Sequence, residues 1–330
     1  MKISIKSVRT AEAAEWDSIW LRCDYATYFH SREWAEIWNI YSEGNISPEP
    51  YLIVFSDGRK AVLPLSSSRS YKGLIRNYLS SPGGTFGGWI SEDNLLEEHA
   101  VLLSEYLYNK GGTLFWRFNP YDELVGKITI PTTTQDETNA INLLGGFDAA
   151  YNSWTKGHKS ATTKARREGV SVRLASSLED WQNYYEVYED SLKRWGDKAS
   201  SRYEWKFFEE ICRRNSPNVK LWLAIFQERV VAGALCFYAK RHVVYWHGAA
   251  LEEHFHLRPV NLLMYEAILD ACNHDYSWFD FNPSGGHEGV KAFKKSFGAI
   301  EIKTNVCINY TWTSKGLKAA SFAWRLVRNK

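Results

Sequence analysis

Apolar positions along this chain recur at two spacings, alternate residues for strands and every third or fourth residue for helices, and the two alternate in a repeated order. Residues 3–8 alternate as a strand, and residues 11–21 carry a helical stripe. Ser31 stands where a helix over residues 31–41 needs its N-cap. Strands over residues 51–55 and 60–65 flank Asp57-Gly58, a hairpin signal. Ser81-Pro82-Gly83-Gly84 and Gly87-Gly88 break the chain after residues 74–79. Leu95, Leu96, His99, Leu102, Leu103 and Tyr106 mark one helix face, and strands are predicted near residues 113–118 and 127–131.

The order then begins again. Residues 152–168 read as a basic helix. Trp181, Tyr184, Tyr185, Tyr188 and Leu192 form an aromatic helical stripe, and residues 203–213 form another helix. Residues 219–226, 230–238 and 243–249 read as three antiparallel strands. Arg258-Pro259 opens a helix with proline in its first turn. A strand over residues 276–281, a helix over 287–297 and a strand over 300–308 complete the unit. In the helix over 287–297, Val290, Phe293 and Phe297 are expected on the buried face, with Lys291, Lys294 and Lys295 beside it. Residues 315–330 read as a last, basic helix, packed back on the body or laid on anionic lipid. The pattern is α+β used twice.

Composition adds limits. The 330 residues hold 45% hydrophobic and 24% charged residues, as an ordered protein of about two domains does. Net charge is +2, which argues against a general nucleic-acid binder. The five cysteines are scattered and include no CxxC pair, so neither a zinc site nor a disulfide framework is indicated. With no apolar signal core and no transmembrane-length apolar run, a cytoplasmic protein is expected. No phosphate-binding GxxxxGK[ST] loop and no HExxH are present. The spacing of His254 and His256 suits a metal but lacks clear partners, so no metal is expected.

The candidate chemistry gathers late. Phe279-Asp280-Phe281-Asn282-Pro283-Ser284-Gly285-Gly286 ends a buried strand in a turn, and a helix carrying Phe293-Lys294 follows. A strand end, a glycine-rich turn and a lysine beside a phenylalanine offer a place for a developing negative charge. Asp280 and Asn282 stand at the strand end, one suited to reach a substrate amine and the other to cap the next helix. Glu288 is either a general base or a complement to the helix dipole. Arg258 and Asn261 suit an anionic substrate or a plain cap, and Arg194 with Tyr203 suits an acceptor cleft. Lys159 belongs to a basic cluster that suits a diphosphate or a tRNA backbone.

Phe29-His30-Ser31 with Trp34, residues 80–88, Lys164-Ala165 with Gly169-Val170, and the run from Arg258-Pro259-Val260-Asn261-Leu262-Leu263 through Phe281 to Gly298 resemble the Fem family of peptidoglycan-bridge aminoacyltransferases and their tandem acetyltransferase-like (GNAT) relatives. The resemblance covers nearly the whole chain. It implies two GNAT-like domains, each a mixed, largely antiparallel sheet flanked by helices. Residues 1–145 would shape an acceptor cleft, residues 146–312 would hold the donor and catalytic site, and residues 313–330 would form the basic helix. It also implies acyl transfer to an amine, with Lys294 and Phe293 matching the family's Phe-Lys pair. The best-known members carry a long helical arm, which does not fit between Leu192 and Tyr203, and Lys159 stands where the family has arginine. Both departures point to shorter relatives.

The leading expectation is an acyl- or aminoacyltransferase acting on an amine of a peptide stem or amino sugar in a cell-envelope precursor. Its catalytic residues would be Lys294, Phe293 and Asp280, and its substrate-binding residues Asn282, Arg258, Asn261, Arg194, Tyr203 and Lys159. The donor would be an acyl-CoA or an aminoacyl-tRNA. A CoA-dependent enzyme acting on another amine and a non-catalytic tandem-GNAT scaffold are the alternatives.

Overall fold

The computed structural model describes residues 2–199, 201–285, 287–311 and Ser314. The expected helix over residues 315–330 lies outside the described residues. In chain order the elements are β1 (Ile5–Thr10), α1 (Ala13–Arg22), α2 (Arg32–Tyr41), β2 (Ile46–Pro48), β3 (Tyr51–Phe55), β4 (Lys60–Leu63), β5 (Ser66–Ser70), β6 (Ile75–Leu79), β7 (Phe86–Gly87), α3 (Glu97–Tyr108), β8 (Thr113–Phe118) and β9 (Thr133–Asn142). There follow α4 (Gly146–Asn152), α5 (Lys156–Arg167), β10 (Ser171–Leu174), α6 (Leu178–Trp195), α7 (Trp205–Arg214), β11 (Val219–Phe226), β12 (Arg229–Tyr238), β13 (His242–Ala250), α8 (Pro259–Asn273), β14 (Trp278–Asp280), α9 (Glu288–Lys295) and β15 (Ile300–Asn309).

Two compact units result, residues 137–302 forming one and residues 1–136 with 303–330 the other. The divisions fall inside β9 and β15, nine and ten residues before the expected boundaries at 145 and 312. Strands, rather than linkers, carry the chain from one unit to the next.

In the first unit β1, β3 and β4 make an antiparallel sheet, and β8 lies between β15 and β6 with β5 and β2 beyond. Its core gathers Trp89, Trp116 and Phe118. Ser31 caps α2 as expected, its hydroxyl accepting from Trp34 N at 3.1 Å. The Phe29-His30-Ser31 segment is bolted to the glycine-rich turn. Ser81 Oγ donates to Phe29 O at 3.0 Å, and Trp34 Nε1 donates to Pro82 O at 3.1 Å. Residues 127–131 form no strand. Val125 and Ile130 are buried from a turning segment, and the strand comes later, as β9.

The second unit is built on the order β10-β11-β12-β13-β14-β9. Neighbours are antiparallel except for β13 with β14. Helix α8 presents Leu263, Met264, Ala267 and Ile268 to one face of this sheet, where Ala232, Ala234 and Cys236 of β12 receive them. Helix α6 contacts β12 and β13, α7 packs on α6 and meets β13 through Phe207 and Phe208, and Gly233 of β12 lets the Tyr184 ring of α6 lie against the backbone, in space a Cβ would fill. The basic helix expected over residues 152–168 is α5, and α4 ends before it at residue 152. They part at residues 153–155, where Trp154 turns inward against Phe297. Gly298, at φ +77°, leaves room there for Ser153.

Candidate active site

Helix α9 does not bury the face that its apolar residues suggested. Val290 is 43% exposed, while Lys294 is 4% exposed and Phe297 fully buried. The helix is short and Phe297 falls just after it, so the side chain that lies over the end of β14 is that of Lys294. Phe293 is half-buried, its ring 4.9 Å from Phe297 and 5.5 Å from His158. Lys291 faces the other way and pairs with Glu137 at 2.7 Å and Glu301 at 2.9 Å, contacts that hold its pKa above the ordinary lysine value.

The turn after β14 is shaped to receive the Lys294 ammonium. Asp280 is wholly buried, and its Oδ1 accepts from Thr138 Oγ1 and from Asn282 N, each at 2.6 Å. This second bond closes an Asx-type turn that places Asn282 at φ +65°, in the left-handed region. The Asn282 carbonyl accepts from Lys294 Nζ at 2.6 Å, and Ser284 Oγ lies 3.1 Å from the same nitrogen. An ammonium has three N–H donors. Two are taken, and the third has no acceptor among the described residues. Asn139, fully buried, donates from Nδ2 to Ser284 Oγ at 3.3 Å, and its Oδ1 has no partner among the described residues. Burial pushes the Lys294 pKa down to about 8, against the opposing pull of Asp280 and Glu137. The group is therefore an ammonium at neutral pH, poised near its titration.

Beside this turn the sheet opens. Strands β13 and β14 pair in parallel over only three positions, His242 with Trp278 to Val244 with Asp280. There β14 ends, while β13 runs on to Ala250. Residues 245–248 are half-buried between fully buried neighbours, and Trp246 is a bulge residue against β12. Asn282 Nδ2 reaches Trp246 O at 3.5 Å, which ties the ammonium's turn to the mouth of the opening. A parted pair of parallel strands leaves backbone donors and acceptors for an extended ligand.

Sequence reasoning passed over His247 at this opening. Tyr184 Oη lies 2.6 Å from His247 Nδ1, and the ring sits among Tyr188, Tyr203 and Phe208. Burial pushes its pKa down to about 3, so the imidazole is neutral at physiological pH. A histidine inside the largely apolar run of residues 243–250 was the signal available.

The other expected residues fall into three places. Asn261 is buried at the start of α8, with Nδ2 2.9 Å from His158 Nδ1. Arg258 precedes it, exposed and left-handed at φ +60°, and its charge adds to burial in lowering the His158 pKa. These residues join Phe293 through His158. Tyr203 lies across the sheet face with Phe207 and Trp246, its ring centroid 5.1 Å from that of Trp246. Arg194 is tied to Ala250 O at 3.4 Å and lies over the Phe255 ring at 4.8 Å. Lys159 donates to Asn152 O at 3.0 Å, a local bond that draws its charge to the C-terminal end of α4. Lys294, Phe293, Asp280, Asn282 and Asn261 thus gather around one strand end and helix start, while Arg194 and Lys159 stand apart from them.

The description "acetyltransferase (GNAT) domain" matches residues 155–295, from the start of α5 through α9. This stretch is a GNAT-family acyltransferase domain. The chain shares its fold with FemX over 91% of its own length and 96% of that protein's, at a TM-score of 0.69 and 14% identity. A conserved protein of unknown function from Bacteroides thetaiotaomicron aligns at a TM-score of 0.58 and 10% identity, over 92% of this chain and 100% of that one. The C-terminal domain of a putative lysylphosphatidylglycerol synthetase from Agrobacterium fabrum aligns at 0.58 and 9%, over 94% and 95%. No curated protein matches in sequence. The expected Fem-like, α+β GNAT fold is borne out. Within the GNAT domain the parted strands β13 and β14 and the Lys294 turn are neighbours on one sheet. Helix α6 ends at Trp195 and α7 begins at Trp205, so no long helical arm stands between them. No group of three metal-binding side chains occurs among the described residues. Nor is any helix there long and apolar enough to cross a membrane.

Proposed function

We propose that this chain transfers an activated acyl or aminoacyl group to an amine of a cell-envelope precursor, either a peptide stem or an amino sugar. The observation that carries the reading is the buried Lys294 ammonium, with one N–H that has no acceptor among the described residues, beside the parted strands of a GNAT domain. Attack by the amine nitrogen on the acyl carbon forms the C–N bond and drives the carbonyl electrons onto oxygen. Collapse then expels the sulfur of a thioester or the oxygen of an ester, and the proton shed by nitrogen leaves with that group or passes to solvent. A donor aimed at the transient oxyanion is worth about 3–4 kcal/mol. Lys294 supplies that donor in this reading, Asp280 and Asn282 position it, and Phe293 walls it from water.

Arg258, at the start of α8, provides a cation for a phosphate of the donor, and both acyl-CoA and aminoacyl-tRNA carry phosphate. The run of β13 beyond the end of β14 favours an extended thioester donor, so a CoA-dependent transfer to an amine outside the envelope is the second reading. Mass spectrometry of products formed from amine acceptors, with acyl-CoA in one arm and charged tRNA in the other, separates them. An acylated stem peptide or amino sugar supports the first reading. Acylation confined to other amines supports the second, and no product in either arm refutes both.

A further inference from the structure

The surroundings of His247 decide which of its ring nitrogens carries the proton. Tyr184 is fully buried in α6, and its hydroxyl has one partner among the described residues, His247 Nδ1 at 2.6 Å. A buried hydroxyl whose hydrogen meets no acceptor is costly, so Tyr184 Oη donates and Nδ1 accepts. The imidazole is neutral, because burial lowers its pKa and no charged side chain among the described residues opposes that shift. Its proton therefore sits on Nε2, which has no partner among the described residues. The rings of Tyr184, Tyr188, Tyr203, Phe208 and Trp246 surround the imidazole at centroid distances of 4.4–6.2 Å. His247 itself is half-buried, on the stretch of β13 that runs on past the end of β14. Its side chain stands on the sheet face that carries α6 and α7, so a ligand laid along the β13 backbone leaves this face to the second substrate.

We propose that the Nε2–H of His247 is the hydrogen-bond donor that recognises an uncharged amide carbonyl on the acceptor amine. The acceptor is then a peptide or an N-acylated sugar rather than a bare alkylamine. This assignment rests on the transfer reading above, and Tyr184 is the positioning residue behind it. A carboxylate in the same place would lie among rings that offer it no countercharge. A hydroxyl would bring a hydrogen of its own, and the neighbouring hydroxyls are engaged, that of Tyr184 by His247 and that of Tyr188 by Tyr203 N at 3.1 Å. A carbonyl oxygen only accepts, and it meets both constraints. The same tautomer bars Nε2 from taking the proton of the attacking nitrogen, so His247 binds the acceptor and is not its base.

The test has two readouts. In the full chain carrying nitrogen-15 histidine, long-range nitrogen–proton correlation spectra report the tautomer with no substrate present. His247 is expected to hold its proton on Nε2 and to stay neutral from about pH 8 down to about pH 5. A proton on Nδ1, or an imidazolium in that range, overturns the proposal. Initial rates of transfer are then compared for Nα-acetyl-lysinamide and pentylamine, two primary amines with and without amide oxygens, each with acyl-CoA and with charged tRNA as donor. Wild-type kcat/KM is expected to favour the amide by roughly three- to tenfold, the worth of one hydrogen bond. His247→Phe is expected to lose that preference through KM while kcat changes little, and His247→Gln, which keeps an N–H donor, to retain part of it. Unchanged circular dichroism confirms that both variants fold. Equal use of the two amines by wild type, or an undiminished preference in His247→Phe, overturns the assignment and leaves the transfer reading standing. Transfer to neither amine from either donor overturns both.

Discussion

Burial of the Lys294 amine in the turn after β14 couples its proton to both stability and turnover. Its pKa lies near 8 in the fold against an ordinary value of 10.5. Between these values the unfolded chain holds a proton that the folded chain has shed, so stability rises with pH across that window. Below it the cost of the buried charge is fully present. Urea unfolding of wild type from pH 7 to 10.5 is expected to show this rise, and Lys294→Met to remove it. The ammonium is the form that donates to an oxyanion, so kcat is expected to fall as pH rises through about 8. Asp280→Asn removes a carboxylate that favours the charged amine. The descending limb of kcat then moves to lower pH while KM for the acceptor changes less, a split that a pH series of initial rates reads directly.

At the scale of elements, β12 and α6 meet too closely at Gly233 for any larger residue. Gly233→Ala pushes a Cβ into the Tyr184 ring and is expected to cost roughly 1–3 kcal/mol in chemical denaturation, loosening the Tyr184–His247 bond as well. Val290→Ser on α9 is expected to change stability by less than about 0.5 kcal/mol, because Val290 faces water. That helix shows where sequence reading stopped. Phe293 and Phe297 stood out by spacing and do pack together, but nothing in the periodicity says that a lysine occupies the most enclosed place on the helix. Its burial depends on acceptors from elsewhere, the Asn282 carbonyl and the Ser284 hydroxyl, which only the folded turn aims at it. β9 escaped notice for a related reason. Thr133 to Glu137 are polar on both faces, so the strand has no alternation to read.

For the whole molecule, the repeated α+β order and the Fem-like motifs led to the right fold, because strand meanders and capped helices are local features that a sequence displays. The same motifs do different work in the two units. Phe29-His30-Ser31 and residues 80–88 lock one another in the first unit, whereas the Arg258 to Gly298 run builds the strand end and helix start around Lys294 in the second. Asn139 and Thr138, which complete the lysine's surroundings, come from β9, about 140 residues earlier in the chain, a separation no local spacing reveals. If the GNAT domain binds its donor along β13 beyond the end of β14, acyl-CoA at saturating concentration raises the melting temperature, whereas a scaffold without a donor site shows no shift with either donor class. The most direct test of the account is single-turnover acyl transfer by Lys294→Met, a substitution that keeps the side chain's length and removes its charge. A loss of about 10²–10³-fold in the chemical step, with acceptor affinity retained, is the predicted result. Transfer at the wild-type rate would contradict the claim that this ammonium stabilises the oxyanion.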